Sequence, residues 1–189
     1  MNVRKGGLSL RTFSLLKGVP AQLPNGETIG IVQDVCISPR GEVSDLVLKE
    51  RGFFGRRLRM PFSDVLAFGS SRIMISKGTS PERYKERLHE YTMGLSRPID
   101  KKKVLSSFGE ELGLLEDVYF SEKLGTIVGY ELTDGFFSDI TSGKRIVQSS
   151  LCPQIREDAI IVSVNQLRGG GAYDEVSQLP KQGSGENRY

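Results

Sequence analysis

The chain has 189 residues, 38% of them hydrophobic and 26% charged, with a formal net charge of +3. That composition belongs to a folded, mildly basic chain: acidic partners are permitted, but the concentrated charge of a dedicated nucleic-acid binder is absent. No run of about 18 apolar residues occurs, which excludes a membrane-spanning helix, and the N-terminal stretch is too broken by Ser, Arg, Thr and Lys for a signal peptide, so the cytoplasm is the expected location.

Met1–Leu10 is basic and Gly-containing and is expected to fray. Arg11–Gly18 leads into a short strand near Val19–Leu23, and Pro24-Asn25-Gly26 signals a turn. Thr28–Ser38 reads as a strand with Ile29, Ile31, Val35 and Ile37 on one face and Gln33 breaking the pattern. After a turn at Pro39-Arg40-Gly41 comes a strand over Val43–Lys49, with Leu46 and Leu48 facing inward. A Gly-punctuated loop and a strand over Leu58–Phe62 follow. Ser63–Phe68 reads as a helical or 3₁₀ turn, and Arg72–Ser76 as a closing strand.

Ser80–Gly94 carries helix signals. Ser80 suits the N-cap, Pro81 the first turn and Gly94 the stop, while Tyr84, Leu88 and Tyr91 form a narrow apolar stripe. Beyond a polar lead at Ser96–Lys103, the pattern of the first half returns. Asn25–Ser38 reappears as Phe108–Ser121: Gly26, Gly30 and Asp34 recur as Gly109, Gly113 and Asp117, at a constant offset of 83 (109 − 26). Glu116 interrupts the second copy where Gln33 interrupts the first. Two copies of one folding unit explain this better than chance. Glycines inside both strands, Gly30 and Gly113, suggest bulges or tight bends at barrel corners. Strands follow at Ile127–Thr133, Ile146–Ser150 and Ala159–Val164. The Gly-, Ser- and Gln-rich stretch after Leu167 reads as a flexible tail.

The matching residues are Leu16-Lys17-Gly18, Gly26-Glu27-x-Ile29-Gly30-x-Val32-x-Asp34-Val35, Gly52-Phe53-Phe54-Gly55 and Met60-Pro61-Phe62-Ser63-Asp64-Val65. On these the chain resembles the PRC-barrel family, named for the photosynthetic reaction centre H subunit, and in particular the tandem two-barrel proteins of Gram-positive bacteria. The first copy matches along its length. The second keeps Gly-Glu-x-Leu-Gly and Asp-Val but lacks the Pro-Phe-x-Asp-Val segment. The resemblance implies an all-β fold of two tandem small six-stranded barrels: a first over 11–78, a helical linker over 79–97, a second over 98–167 and a tail over 168–189. It also implies an adaptor role. The H-subunit barrel binds partner protein, and a related barrel in the ribosome maturation factor contacts a ribosomal protein.

No catalytic constellation stands out. His89 is the only histidine and lies among charged residues, far in sequence from Cys36 and Cys152. The cysteines lack zinc-ligand spacing, and Gly169-Gly170-Gly171 lacks the context of a phosphate loop. No cofactor, metal or catalytic residue is therefore assigned. Asp34 and Asp117 are expected to accept backbone hydrogen bonds, each within its own barrel, with a catalytic or metal-binding pair as the sharper alternative. The segment around Lys49–Arg59 places Arg51, Arg56, Arg57 and Arg59 about Phe53 and Phe54. Three readings stay open there: an aromatic plug in a barrel end, a protein contact, or RNA contact by phosphate pairing and stacking. The expected partner is an unidentified protein, with RNA or the ribosome as the alternative.

Overall fold

The computed structural model describes residues 9–51, 55–133, 145–149 and 151–164. The first half supplies β2 (Pro20–Gln22), β3 (Thr28–Ile37), β4 (Val43–Lys49), β5 (Arg57–Pro61), a 3₁₀ turn (Phe62–Asp64), β6 (Val65–Phe68) and β7 (Ile73–Ile75). The linker adds β8 (Glu82–Arg83) and β9 (Tyr91–Thr92). The second half gives β10 (Lys103–Ser106), β11 (Glu111–Ser121), β12 (Ile127–Thr133), β13 (Arg145–Gln148), β14 (Gln154–Ile155) and β15 (Ala159–Val162). Ahead of all of these lie β1 (Leu10–Thr12) and a single helical turn, α1 (Phe13–Leu16). The fold is all-β, as expected, and the strands gather into two curled sheets. The first and last strands of each repeat pair in parallel, β2 with β7 and β10 with β15.

Repeat symmetry extends to irregularities. β3 carries a bulge between Val32 and Asp34, and β11 one between Leu115 and Asp117. Gln33 and Glu116, the residues that break the alternation, are the extra residues of these bulges. A bulge shifts the pleat by one residue, so side chains beyond it change face. Val35 and Ile37 are fully buried as expected. Ahead of the bulge, however, Val32 faces the core and Ile31 is exposed, which corrects the single apolar face read from the sequence. The interior glycines adjoin further irregularities, at Ala21/Gln22 opposite Gly30 and at Val104/Leu105 opposite Gly113. A Cβ on Gly30 would lie 2.9 Å from the Lys49 carbonyl, and Gly113 has a φ of +138°.

The helix expected over 80–94 is absent. Its stripe does not exist as a face: Leu88 is 84% exposed, while Tyr91 is buried. The segment instead runs as two short strands, β8 on the edge of β5 and β9 on β3. Tertiary pairing overrides propensity here because three apolar residues give a helix little to bury.

The two sheets share one hydrophobic core, which includes Val35, Met60 and Ile73 from one repeat and Val118, Phe120 and Ile160 from the other. Phe62, Phe68 and Phe120 form a ring cluster across the boundary, with Phe62 and Phe120 5.9 Å apart and edge-on. Equivalent turns join reciprocally as well. Val43 N–H donates to the Gly125 carbonyl and Ile127 N–H to the Gly41 carbonyl, both at 2.9 Å.

Candidate functional site

The segment preceding each repeat crosses to the other. β1 pairs antiparallel with β11, setting Thr12 opposite Tyr119, and β9 pairs antiparallel with β3, setting Thr92 opposite Cys36. The two crossing leaders share a pattern, Thr12-Phe13-Ser14-Leu15 and Thr92-Met93-Gly94-Leu95. Asp117 takes the first: Phe13 N–H donates to Oδ1 at 3.0 Å and Ser14 N–H to Oδ2 at 3.1 Å. Asp34 takes the second: Met93 N–H donates to Oδ1 at 3.0 Å and Gly94 N–H to Oδ2 at 2.9 Å. Each carboxylate also accepts the following residue's N–H, from Val35 and Val118. Both are backbone acceptors, as expected. The reading that each serves its own barrel is corrected, because each holds the other repeat's leader.

Burial raises the pKa of both carboxyls above the ordinary 3.8, although their backbone donors oppose it; Ser14 donates to Asp117 and Gly94 and Met93 to Asp34. Between the leaders lies a cleft of about 430 Å³ whose lining includes Phe13, Met93, Lys17, Lys101, Gln33 and Glu116. Lys101 reaches Glu116 at 3.7 Å. An outer clasp ties the N-terminal leader down: Arg11 and Ser9 both bind Glu122, and Arg11 Nη2 donates to the Phe68 carbonyl at 2.7 Å.

The second polar centre lies on the outer face of the first repeat. Arg59 is buried, with its side chain 3% exposed. Its Nη1 reaches Asp45 at 2.9 Å and Glu90 at 2.6 Å, and its Nη2 reaches Glu90 at 2.5 Å and the Lys85 carbonyl at 2.9 Å. Its guanidinium also lies 5.2 Å from the centre of the Tyr84 ring. The hydrogen bond to Glu90 leads in holding Arg59 charged. Cys36 is fully buried beside this group, and burial first and Glu90 second push its thiol far above the usual range. Cys36, Asp45 and Glu90 present ligand atoms within 4.8 Å of one another. Two carboxylates and a protonated thiol around a guanidinium are a donor set already met by a cation, so a metal would have to evict Arg59.

The basic loop is thus divided. Arg51 is exposed; Arg56 is exposed and pairs with Glu50 at 3.2 Å; Arg57 is exposed and donates through Nε to Gln33 at 3.0 Å. Arg59 is corrected from a surface contact to a buried anchor. In a strand whose Leu58 and Met60 face the barrel interior, the alternate side is covered by the linker. Phe53 and Phe54 lie outside the described residues, as do Phe136, Phe137, the glycine run and the tail. Gly26 and Gly109 occupy turns with φ of +88° and +85°. His89 is exposed in a turn with φ of +64°.

These features define an all-β protein of two repeats, each a curled sheet, bound by crossed leaders. The chain belongs to the PRC-barrel family: the PRC-barrel domain profile matches residues 93–168, which fall on the second repeat and its leader. The chain is 30% identical over 166 residues to the "Uncharacterized protein YrrD" of Bacillus subtilis (strain 168), across 82% of this chain and 88% of that protein. Among the described residues no helix is long and apolar enough to cross a membrane.

Proposed function

We propose that the chain is a non-enzymatic, cytoplasmic protein-interaction module, with the exposed arginines between β4 and β5 as part of its contact face. The observation that supports this most is how the ionisable groups inside the fold are used. Asp34 and Asp117 are spent on backbone N–H groups, and Asp45 and Glu90 on Arg59. A catalyst needs such groups free to exchange protons or touch substrate. The side chains left outside include Arg51, Arg56 and Arg57, and arginine is favoured in protein contacts.

In-cell crosslinking followed by affinity purification tests this reading. The intact chain is compared with Arg51→Glu, Arg56→Glu, Arg57→Glu, its folding checked by circular dichroism. A defined protein captured by the intact chain and lost by the variant is the expected result. The same protein retained by both would remove the contact from this rim. Nuclease-sensitive capture that weakens steeply with salt would favour RNA instead.

A further inference from the structure

The crossed leaders form one recognition unit used twice. On the giving side, a threonine pairs with the residue two beyond the aspartate, at Thr12↔Tyr119 and Thr92↔Cys36. An apolar residue is then buried, Phe13 or Met93, and two successive N–H groups reach one carboxylate. On the receiving side, a bulged strand presents an aspartate followed by valine. Each repeat gives one leader and takes one, which is the arrangement of an isologous two-fold dimer, where a patch meets its own copy. The reciprocal turn contacts at Gly41 and Gly125 obey the same symmetry. Those turns ask only for glycine, since a Cβ on Gly125 would lie 2.5 Å from the Val43 carbonyl, so the leader and the aspartate carry the rest of the partner's identity.

We propose that this pairing operates in trans: a repeat of this chain recognises a separate PRC-type repeat that carries its own Thr-apolar-(Ser/Gly)-Leu leader and Asp-Val bulge, and the covalent linker is not needed to hold the two together. The partner it fits first is the opposite repeat of a second copy of this chain, which takes the place of the chain's own. This goes beyond the rim contact proposed above and does not depend on it.

The test begins with the full chain carrying a protease site between Lys77 and Gly78, where a Cβ on Gly78 would meet nothing within 4 Å. After complete cleavage, native mass spectrometry and size exclusion follow the fragments. The expected result is a persistent 1:1 complex at the size of the uncut chain. Asp34→Ala and Asp117→Ala should each raise its dissociation constant by on the order of ten-fold or more, since each loses charge-assisted hydrogen bonds. Circular dichroism of the uncut variants separates lost recognition from lost fold. Should a variant unfold, a peptide of residues 9–18 added to the cleaved wild type serves instead. It should compete for Asp117 and loosen the complex, whereas the same peptide with Thr12→Ala and Phe13→Ala should not. Fragments that part at micromolar concentration would overturn the proposal. So would a complex indifferent to both aspartates, or to the peptide.

Discussion

The two repeats solve one packing problem in opposite ways. Cys36, Asp45 and Arg59 of the first correspond, by strand register, to Tyr119, Gly129 and Ile146 of the second. In the second repeat these three are themselves uncharged: a Cβ on Gly129 would lie 3.4 Å from the Tyr119 Cβ and 3.7 Å from Ile146 Cγ2, and only the Tyr119 hydroxyl reaches a carboxylate, donating to Glu131 at 3.0 Å. In the first, the same place holds a buried arginine, its carboxylates and a thiol. The difference follows the chain. The linker lies over the first repeat and contributes Tyr84, the Lys85 carbonyl and Glu90 to the cluster. The barrel therefore does not require the ion pairs, which occur where a polar segment must be held in one path. Buried ion pairs are weak evidence of stability, and their best-supported use is to specify an arrangement.

The largest expected effect breaks that cluster. Arg59→Ala leaves Glu90 buried without its cation and Asp45 with only the exposed Arg87, at 3.9 Å, and should destabilise the fold by about 3–5 kcal/mol in urea unfolding. Importing the second repeat's solution sharpens the contrast. Cys36→Tyr, Asp45→Gly and Arg59→Ile, combined with Glu90→Gln, should recover most of that loss, because well-packed apolar groups often replace a buried ion pair at no net cost. If the combined variant is as unstable as Arg59→Ala, the knot is worth more to the barrel than the comparison allows.

The leader junctions should be alike rather than opposite. Asp34→Ala and Asp117→Ala each strand two N–H groups of a crossing leader, and each should cost about 2–3 kcal/mol. Markedly unequal losses would mean that the N-terminal leader, with its Arg11–Glu122 clasp, is held by other means. The same carboxyls set a pH dependence. Burial raises their folded-state pKa above 3.8, so the folded chain takes up these protons more readily than the unfolded chain. Their contribution to stability is therefore greatest below the ordinary carboxyl value and is lost as pH rises through the folded value. Carboxyl NMR titration should place both above 3.8, and the double alanine variant should lack this component of the stability–pH curve.

Much of this fold can be read from the chain alone. The repeat of Gly-Glu-x-apolar-Gly and Asp-Val marks both curled sheets, and the polar interruptions at Gln33 and Glu116 mark the bulges. The crossing was hidden by an offset. Thr12-Phe13-Ser14-Leu15 and Thr92-Met93-Gly94-Leu95 stand 80 residues apart (92 − 12), whereas the strands stand 83 apart, because the second leader reaches its strand by three more residues. A search at one fixed period misses it. The linker hides its path for a different reason. Its capping residues are real helix signals, but Arg59 lies at an alternating strand position and needs a lid of acceptors, which only the tertiary structure reveals. The basic loop likewise gives no sign from charge alone that one of its arginines turns inward.

The smallest expected effect uses a position that differs between the repeats in residue but not in role. Gly18 and Lys101 occupy equivalent sites: Gly18 N–H donates to the Val32 carbonyl and Lys101 N–H to the Leu115 carbonyl, both at 2.8 Å. Both have positive φ, +88° and +61°. Only glycine takes that region without strain, and the penalty for other residues is about 1 kcal/mol. Gly18→Ala should therefore destabilise by about 1 kcal/mol, through backbone conformation alone, because a Cβ there meets nothing within 4 Å. Lys101→Gly should run the other way, gaining at most about 0.5 kcal/mol once the entropy of glycine in the unfolded chain is deducted. The pair of exposed Lys101 with half-buried Glu116, at 3.7 Å, adds little to the balance. Opposite signs in thermal unfolding would show that one strained turn serves both repeats. Equal signs would mean that the lysine side chain itself holds the cleft, and that the second repeat has replaced conformational ease with a contact.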